Sequence, residues 1–185
     1  MLEILLTSEN TVRSYSNLDC NTQSKFLLSA IRESQEVGLQ SIIGTALLRK
    51  LKALVGSGEI SQEGNEAYKD LLDYAQMYLV YQSIVNVCLI ATVKLSNGGA
   101  QMTSDENLTT LNINDLFIIQ KHYQDKADFF AKRLQAYILQ NKGLLPELTE
   151  NDCVNMRANL YSAASTGLWL GGKRGPRGHN KKRFI

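Results

Sequence analysis

An all-α fold is predicted, a bundle of four to five helices with a small β-hairpin or loop insertion and an extended basic C-terminal arm. Three observations carry it. Apolar residues recur at helical spacing over most of the chain. Only two prolines occur among 185 residues, and glycines cluster where the periodic segments stop. Helical signals run from end to end, and Asn97-Gly98 is the best two-residue turn signal in the chain. The length fits one domain, and 44% hydrophobic with 21% charged residues is the composition of a chain with a true core.

The elements follow in order. Ser8 is placed to cap a first helix reaching about Leu18, with Glu9 in its first turn. From Asn21 or Thr22 to about Ile43, Phe26, Leu27, Ala30, Ile31 and Val37 keep helical spacing, with Gly38 and Gly44 expected to bend or break the segment. Thr45 to Val55 carries Leu47, Leu48, Leu51 and Leu54 against Arg49, Lys50 and Lys52, and stops at Gly56-Ser57-Gly58. Asn65 to Leu95 contains no glycine or proline and holds the period through Tyr68, Leu71, Leu72, Ala75, Tyr78 and Leu79. Its 31 residues would run roughly 46 Å. Beyond Met77 it is apolar around most of its circumference, so its own bundle or a neighbouring subunit must enclose it.

Residues 96–112 read as a loop or small hairpin turning at Asn97-Gly98. A last long helix runs from Asn112 or Asn114 to Lys142, with Leu116, Ile119, Tyr123, Ala127, Phe130, Leu134, Tyr137 and Ile138 on one face. Gly143 stands where a left-handed cap belongs. A weaker helical turn is expected around Asp152–Tyr161. Residues 1–165 thus form one helical domain, and 166–185 an extended arm.

Charge is distributed unevenly. Residues 173–185 hold six basic side chains (Lys173, Arg174, Arg177, Lys181, Lys182, Arg183) and no acid, so a net charge of +2 conceals a body of −4. Such an arm seeks an anionic surface, whether protein or nucleic acid. Trp169, the only tryptophan, lies just before it in a glycine-flanked stretch and reads as an anchor against a partner; Phe184 and Ile185 add apolar contacts at the terminus.

Catalytic signatures are weak. Gly167-x-x-x-x-Gly172-Lys173 comes near a phosphate-binding loop, but Arg174 replaces the Ser or Thr that ligates magnesium, and Gly175-Pro176 stands where a helix must start. His122 and His179 lie far apart, and Cys20, Cys88 and Cys153 have neither disulfide nor zinc spacing. Asp70/Asp73 and Asp125/Asp128 read as solvated helix faces. No enzymatic activity, cofactor or metal is expected. The N-terminus lacks the charged and apolar regions of a secretion signal, and Met77–Leu95 is interrupted by Gln82, Asn86 and Lys94, so a soluble protein is expected. Tyr74, Tyr78 and Tyr81 are better suited to core or interface packing than to stacking on bases.

Ile42-Ile43-Gly44 before a short helix, Leu71-Leu72-Asp73-Tyr74 in a long tyrosine-rich helix, the polar link at Asn97-Gly98, Ala136-Tyr137-Ile138-Leu139 closing the last helix, and Gly-Leu-Trp-Leu-Gly-Gly before a basic end together give an order of elements. Over roughly residues 5–175, that order resembles the tailed-phage head–tail connector family, also called adaptor, head-completion or ring proteins. It is of the kind found in phages of gut Bacteroidetes, including crAss-like ones. The resemblance implies a virion protein at the head–tail interface, made in the host cytoplasm. It would form a homo-oligomeric ring, commonly of twelve copies, below the portal, touching a neighbouring tail or ring protein and lining the passage of packaged double-stranded DNA. Tyr74, Tyr78 and Tyr81 would then pack between subunits, and Trp169 with the basic arm would engage the portal. The alternative from another class is a small nucleic-acid-binding protein acting through the same arm.

Overall fold

The computed structural model describes residues 4–16, 22–96, 99–102, 113–149 and 156–160. Helix dominates, and two long helices form its axis. The glycine-free segment folds as α5, Glu66–Thr92, and the last periodic segment as α6, Ile113–Gln140. They lie antiparallel. Tyr137 donates from its hydroxyl to the Ala67 carbonyl at 3.0 Å, and Tyr81 stacks on Phe130 with ring centres 5.3 Å apart, so rising numbers on α5 meet falling numbers on α6.

Shorter helices cover the other sides of α5. Ser8 accepts from the Thr11 amide at 3.1 Å and caps α1, Glu9–Ser14, shorter than the expected run to Leu18. Then α2, Ser24–Glu33, continues through a π-helical turn, Ser34–Leu39, into α3, Gln40–Ile43. Gly38 therefore does not break the helix. Its role is close approach, since a Cβ there would lie 2.5 Å from the Tyr78 hydroxyl. The wide turn also buries Gln35 completely, and its side-chain amide acts as a strand would. Its Oε1 accepts from the Leu6 amide at 2.8 Å and its Nε2 donates to the Ile4 carbonyl at 3.1 Å. Gln76 on α5 donates to the Leu6 carbonyl at 2.9 Å, so two glutamines fix the N-terminal segment.

Gly44 is the true break, with φ of 83°. After it α4, Thr45–Ser57, runs to Gly58 in the left-handed region. Val93–Ser96 and Gly99–Met102 run antiparallel, Val93 opposite Met102 and Ser96 opposite Gly99; Asn97-Gly98 lies outside the described residues. At the end of α6 the expected glycine cap does not form. Lys142–Leu144 make a 3-10 turn, and among the described residues only Gly44, Gly58 and Gly64 have positive φ. Leu145 re-enters the core directly after this turn, a tighter exit than a left-handed residue gives.

Met156–Leu160 is also not the helical turn expected within 152–161; residues 150–155 and 161 lie outside the described residues. It is a strap across the α3–α4 break. A helix end leaves backbone groups without intrahelical partners, and the strap supplies them. The Thr45 amide donates to the Met156 carbonyl, and the Asn159 amide to the Ile42 carbonyl, each at 2.9 Å. The Met156 amide donates to Thr45 Oγ1 at 3.0 Å, and Gln135 on α6 donates to the Asn159 carbonyl at 2.8 Å. Gly44 is required here, because a Cβ would stand 2.7 Å from the Ala158 nitrogen.

The core has two parts. The larger gathers Leu39, Ile43, Leu47, Leu51, Leu71, Leu79, Leu134, Ile138 and Leu145 between α3, α4, α5 and α6. The smaller joins Val12, Leu27, Ala30 and Ile31 to Val80, Ile84 and Val87, on the side of α5 facing α1 and α2. No helix among the described residues is long and apolar enough to cross a membrane.

Candidate functional site

The tyrosines of α5 are engaged within their own chain. Tyr78 is buried, and burial together with the negative charge of Asp128 pushes its hydroxyl up to about 12. It has no surface to offer a neighbour, so the expected inter-subunit packing is not open to it in this fold. Tyr74 meets Tyr137 at 5.1 Å, with the Arg133 guanidinium 5.4 Å over its ring. Tyr81 lies on Phe130, with the Lys126 ammonium 5.5 Å from its ring centre. Both are half-buried in the α5–α6 seam. From Tyr74 to Ile90, Leu89 alone is exposed. The bundle itself thus encloses the overfilled helix, and no other subunit is needed to cover it.

Among the described residues, exposed large apolar side chains concentrate on α6. Ala127, Leu134 and Ile138 are fully buried, but Phe117, Ile118 and Ile119 near its start are exposed, Ile118 to 68%. Phe129 is 55% exposed. It follows Ile118 by eleven residues, close to three turns, so both stand on the outward face. Sequence reasoning placed Ile119 in the buried stripe and missed Phe117, Ile118 and Phe129. A signal for the first two existed: the four consecutive apolar residues Leu116 to Ile119 span about 300° of helix, wider than one packing partner covers.

Between the end of α1, the later part of α5 and the start of α6 is a cleft of ≈ 570 Å³, lined by Ser16, Ile84, Cys88, Ile118, Ile119, His122 and Tyr123. Ile84 is its buried floor, and Cys88 is half-buried with its thiol raised by that burial. His122 is exposed, edge-on to Tyr123 at 5.6 Å, as its surface assignment expects. The Lys126 ammonium stands 5.2 Å over the Tyr123 ring at the cleft rim. The lining combines aliphatic Ile84, Ile118 and Ile119 with Tyr123 and the polar groups of Ser16, Cys88 and His122.

The acid pairs stay apart from this cleft. Asp70, Asp73, Asp125 and Asp128 are exposed; Asp125 pairs with Lys121, and Gln124 donates to Asp128 at 2.8 Å. At the opposite end of the molecule the Tyr68 hydroxyl donates to the Glu147 carboxylate at 2.8 Å. Burial first, then this bond and charge, push that hydroxyl up to about 12. Among the described residues no three His, Cys, Asp or Glu side chains gather as a metal site would require. Trp169, Lys173, Arg174, Arg177, Lys181, Lys182, Arg183, Phe184 and Ile185, with Cys20, Cys153 and His179, lie outside the described residues.

No curated protein and no solved structure matches this chain. One family model does match, over residues 39–158, from the end of the π-helical turn to the strap across Gly44. That span is more than half of the sequence, and the chain belongs to this family, DUF6712, a family of unknown function.

Proposed function

We propose that this protein is a structural head–tail connector of a tailed phage, forming a homo-oligomeric ring below the portal and having no catalytic activity. The observation that supports the reading is the uncovered apolar surface of α6, Phe117, Ile118 and Phe129, on a helix pair whose inner side is already filled. Isolated exposed apolar residues need no explanation, but several along one long helix fit a lateral subunit contact. This assignment moves the subunit contact from the α5 tyrosines to the outer face of α6. Trp169 and the basic residues 173–185 engage the portal, with acidic protein surface as their target.

The test is the native mass of the purified protein, alone and mixed with the portal protein of the same genome, at low and high salt. A ring, or a stable portal complex lost on deleting residues 166–185, supports the connector. A monomer that ignores the portal but shifts duplex DNA in a salt-sensitive way overturns it, because phosphate binding weakens steeply with salt.

A further inference from the structure

We infer that Gln35 and Gln76 form a binding site for an apolar, non-helical segment of a partner protein, occupied in cis by Ile4–Thr7 and opened when that segment leaves. The inference goes beyond the connector reading and does not depend on it. It stands on how the segment is held, on what holds the site, and on one flaw in the fit.

The segment forms neither helix nor strand and is gripped through its backbone. Leu6 donates its amide to Gln35 Oε1 and accepts at its carbonyl from Gln76 Nε2, while the Ile4 carbonyl accepts from Gln35 Nε2. A neighbouring strand would engage the same kind of groups, so the two glutamines read a backbone as strand addition does. The side chains seat separately. Leu6 enters the larger core and Leu5 rests on the smaller one. Ile4 lies against Gly56 of α4, where a Cβ would stand 2.5 Å from its Cδ1.

The site is held from outside the segment. Gln35 sits on the π-helical turn, a feature frequent at functional sites. Its Nε2 also donates to Glu36 Oε1 at 3.0 Å, and Glu36 pairs with Lys52 of α4. Ser34 beside it accepts from Asn86 Nδ2 at 3.1 Å and donates to the Ala30 carbonyl at 2.7 Å. Gly38 admits Tyr78, so α5 fixes the turn at two places.

The flaw is Thr7. It is 6% exposed, and its Oγ1 is the one buried side-chain polar atom among the described residues without a hydrogen-bond partner. A buried hydroxyl left unpaired opposes the seating of its segment. The chain's own segment is therefore not the best ligand for this site. A partner segment with valine at that place has nearly the same shape without the hydroxyl, and it displaces Ile4–Thr7.

Hydrogen exchange in the unmodified protein reads the opening, because the Leu6 amide is bonded to Gln35. Exchange at Leu6 is expected to be faster than at Leu71 and Leu79 and insensitive to low urea, the mark of a local opening. Thr7→Val should slow it. A fluorescent peptide of residues 3–9 carrying valine in place of Thr7 reads the site itself by anisotropy. Leu6→Asp, which expels the chain's own segment, should bind that peptide at least about tenfold tighter than the unmodified protein, because the site is then free in every molecule. Adding Gln35→Leu should remove the binding while helical circular dichroism is retained. Exchange at Leu6 only through global unfolding, or at a rate that Thr7→Val leaves unchanged, overturns the inference. So does a folded Leu6→Asp variant that ignores the peptide, or one whose binding survives the loss of Gln35.

Discussion

The two halves of α6 have the same apolar repeat and different surroundings. In the second half Ala127, Leu134 and Ile138 are closed off by α3, α4, α5 and the return of the chain at Leu145. In the first half Ile119 occupies an equivalent place in the repeat yet is 38% exposed, and Phe117 and Ile118 are more exposed still. Periodicity therefore states which face of a helix favours burial, while cover depends on what the rest of the chain brings to it. The enclosed side chains of α6 lie in its second half, and the proposed subunit contact uses what is left uncovered, Phe117 and Ile118 in the first half with Phe129 beyond them.

The largest test of this division is truncation in each half. Leu134→Ala or Ile138→Ala should cost about 2–5 kcal/mol, because each removes a fully enclosed side chain and leaves a cavity. Ile118→Ala should change stability by no more than about 0.5 kcal/mol. Urea denaturation compares them, and equal losses would erase the distinction.

Gly44→Ala tests how the covered half is held. A Cβ at φ of 83° and 2.7 Å from the Ala158 nitrogen has to expel the strap. A loss of about 1–3 kcal/mol is expected. Hydrogen exchange at the Thr45 and Asn159 amides should quicken, while the amides of α1 keep their protection.

Tyrosine titration sharpens the comparison further. Tyr68 and Tyr78, both in the larger core, have hydroxyls raised to about 12 from an ordinary value near 10. A raised value in the folded state favours the neutral phenol. That stability is complete below pH of about 10 and disappears as pH rises through about 12. Absorbance at alkaline pH should show a late-ionising class, and Tyr78→Phe should reduce it. The smallest effect belongs to the uncovered half. Asp125→Ala removes an exposed pairing with Lys121 and should alter stability by about 0.5 kcal/mol or less.

Much of the architecture was legible in the sequence, because spacing and punctuation are local. Ser8 caps α1, Gly58 ends α4, and α5 and α6 run close to the predicted lengths. What escaped is long-range. Gly38 looks like a breaker until Tyr78 is placed against it, 40 residues away in sequence. Residues 156–160 read as a helical turn until the α3–α4 break offers them an amide and a carbonyl. Gln35 has no local signal for its place as a buried clamp on Ile4 and Leu6, which the π-helical turn gives it by turning it inward. The candidate interaction face escaped for the same cause. Phe117, Ile118 and Phe129 are distinguished from core residues by what fails to pack on them, and the apolar run at the start of α6 hints at an excess without saying which of its residues stay uncovered.

The most direct measurement is the mass of the complex formed on purified portal rings by the wild-type protein and by the Ile118→Glu, Phe129→Glu double variant. Both charges enter an already exposed face, so the variant should keep its helical signal and its unfolding midpoint. The connector reading predicts a closed multi-copy ring for the wild type and, for the variant, scattered single copies held by the arm alone. A variant that closes the same ring would contradict it, and the outward face of α6 would lose its assignment.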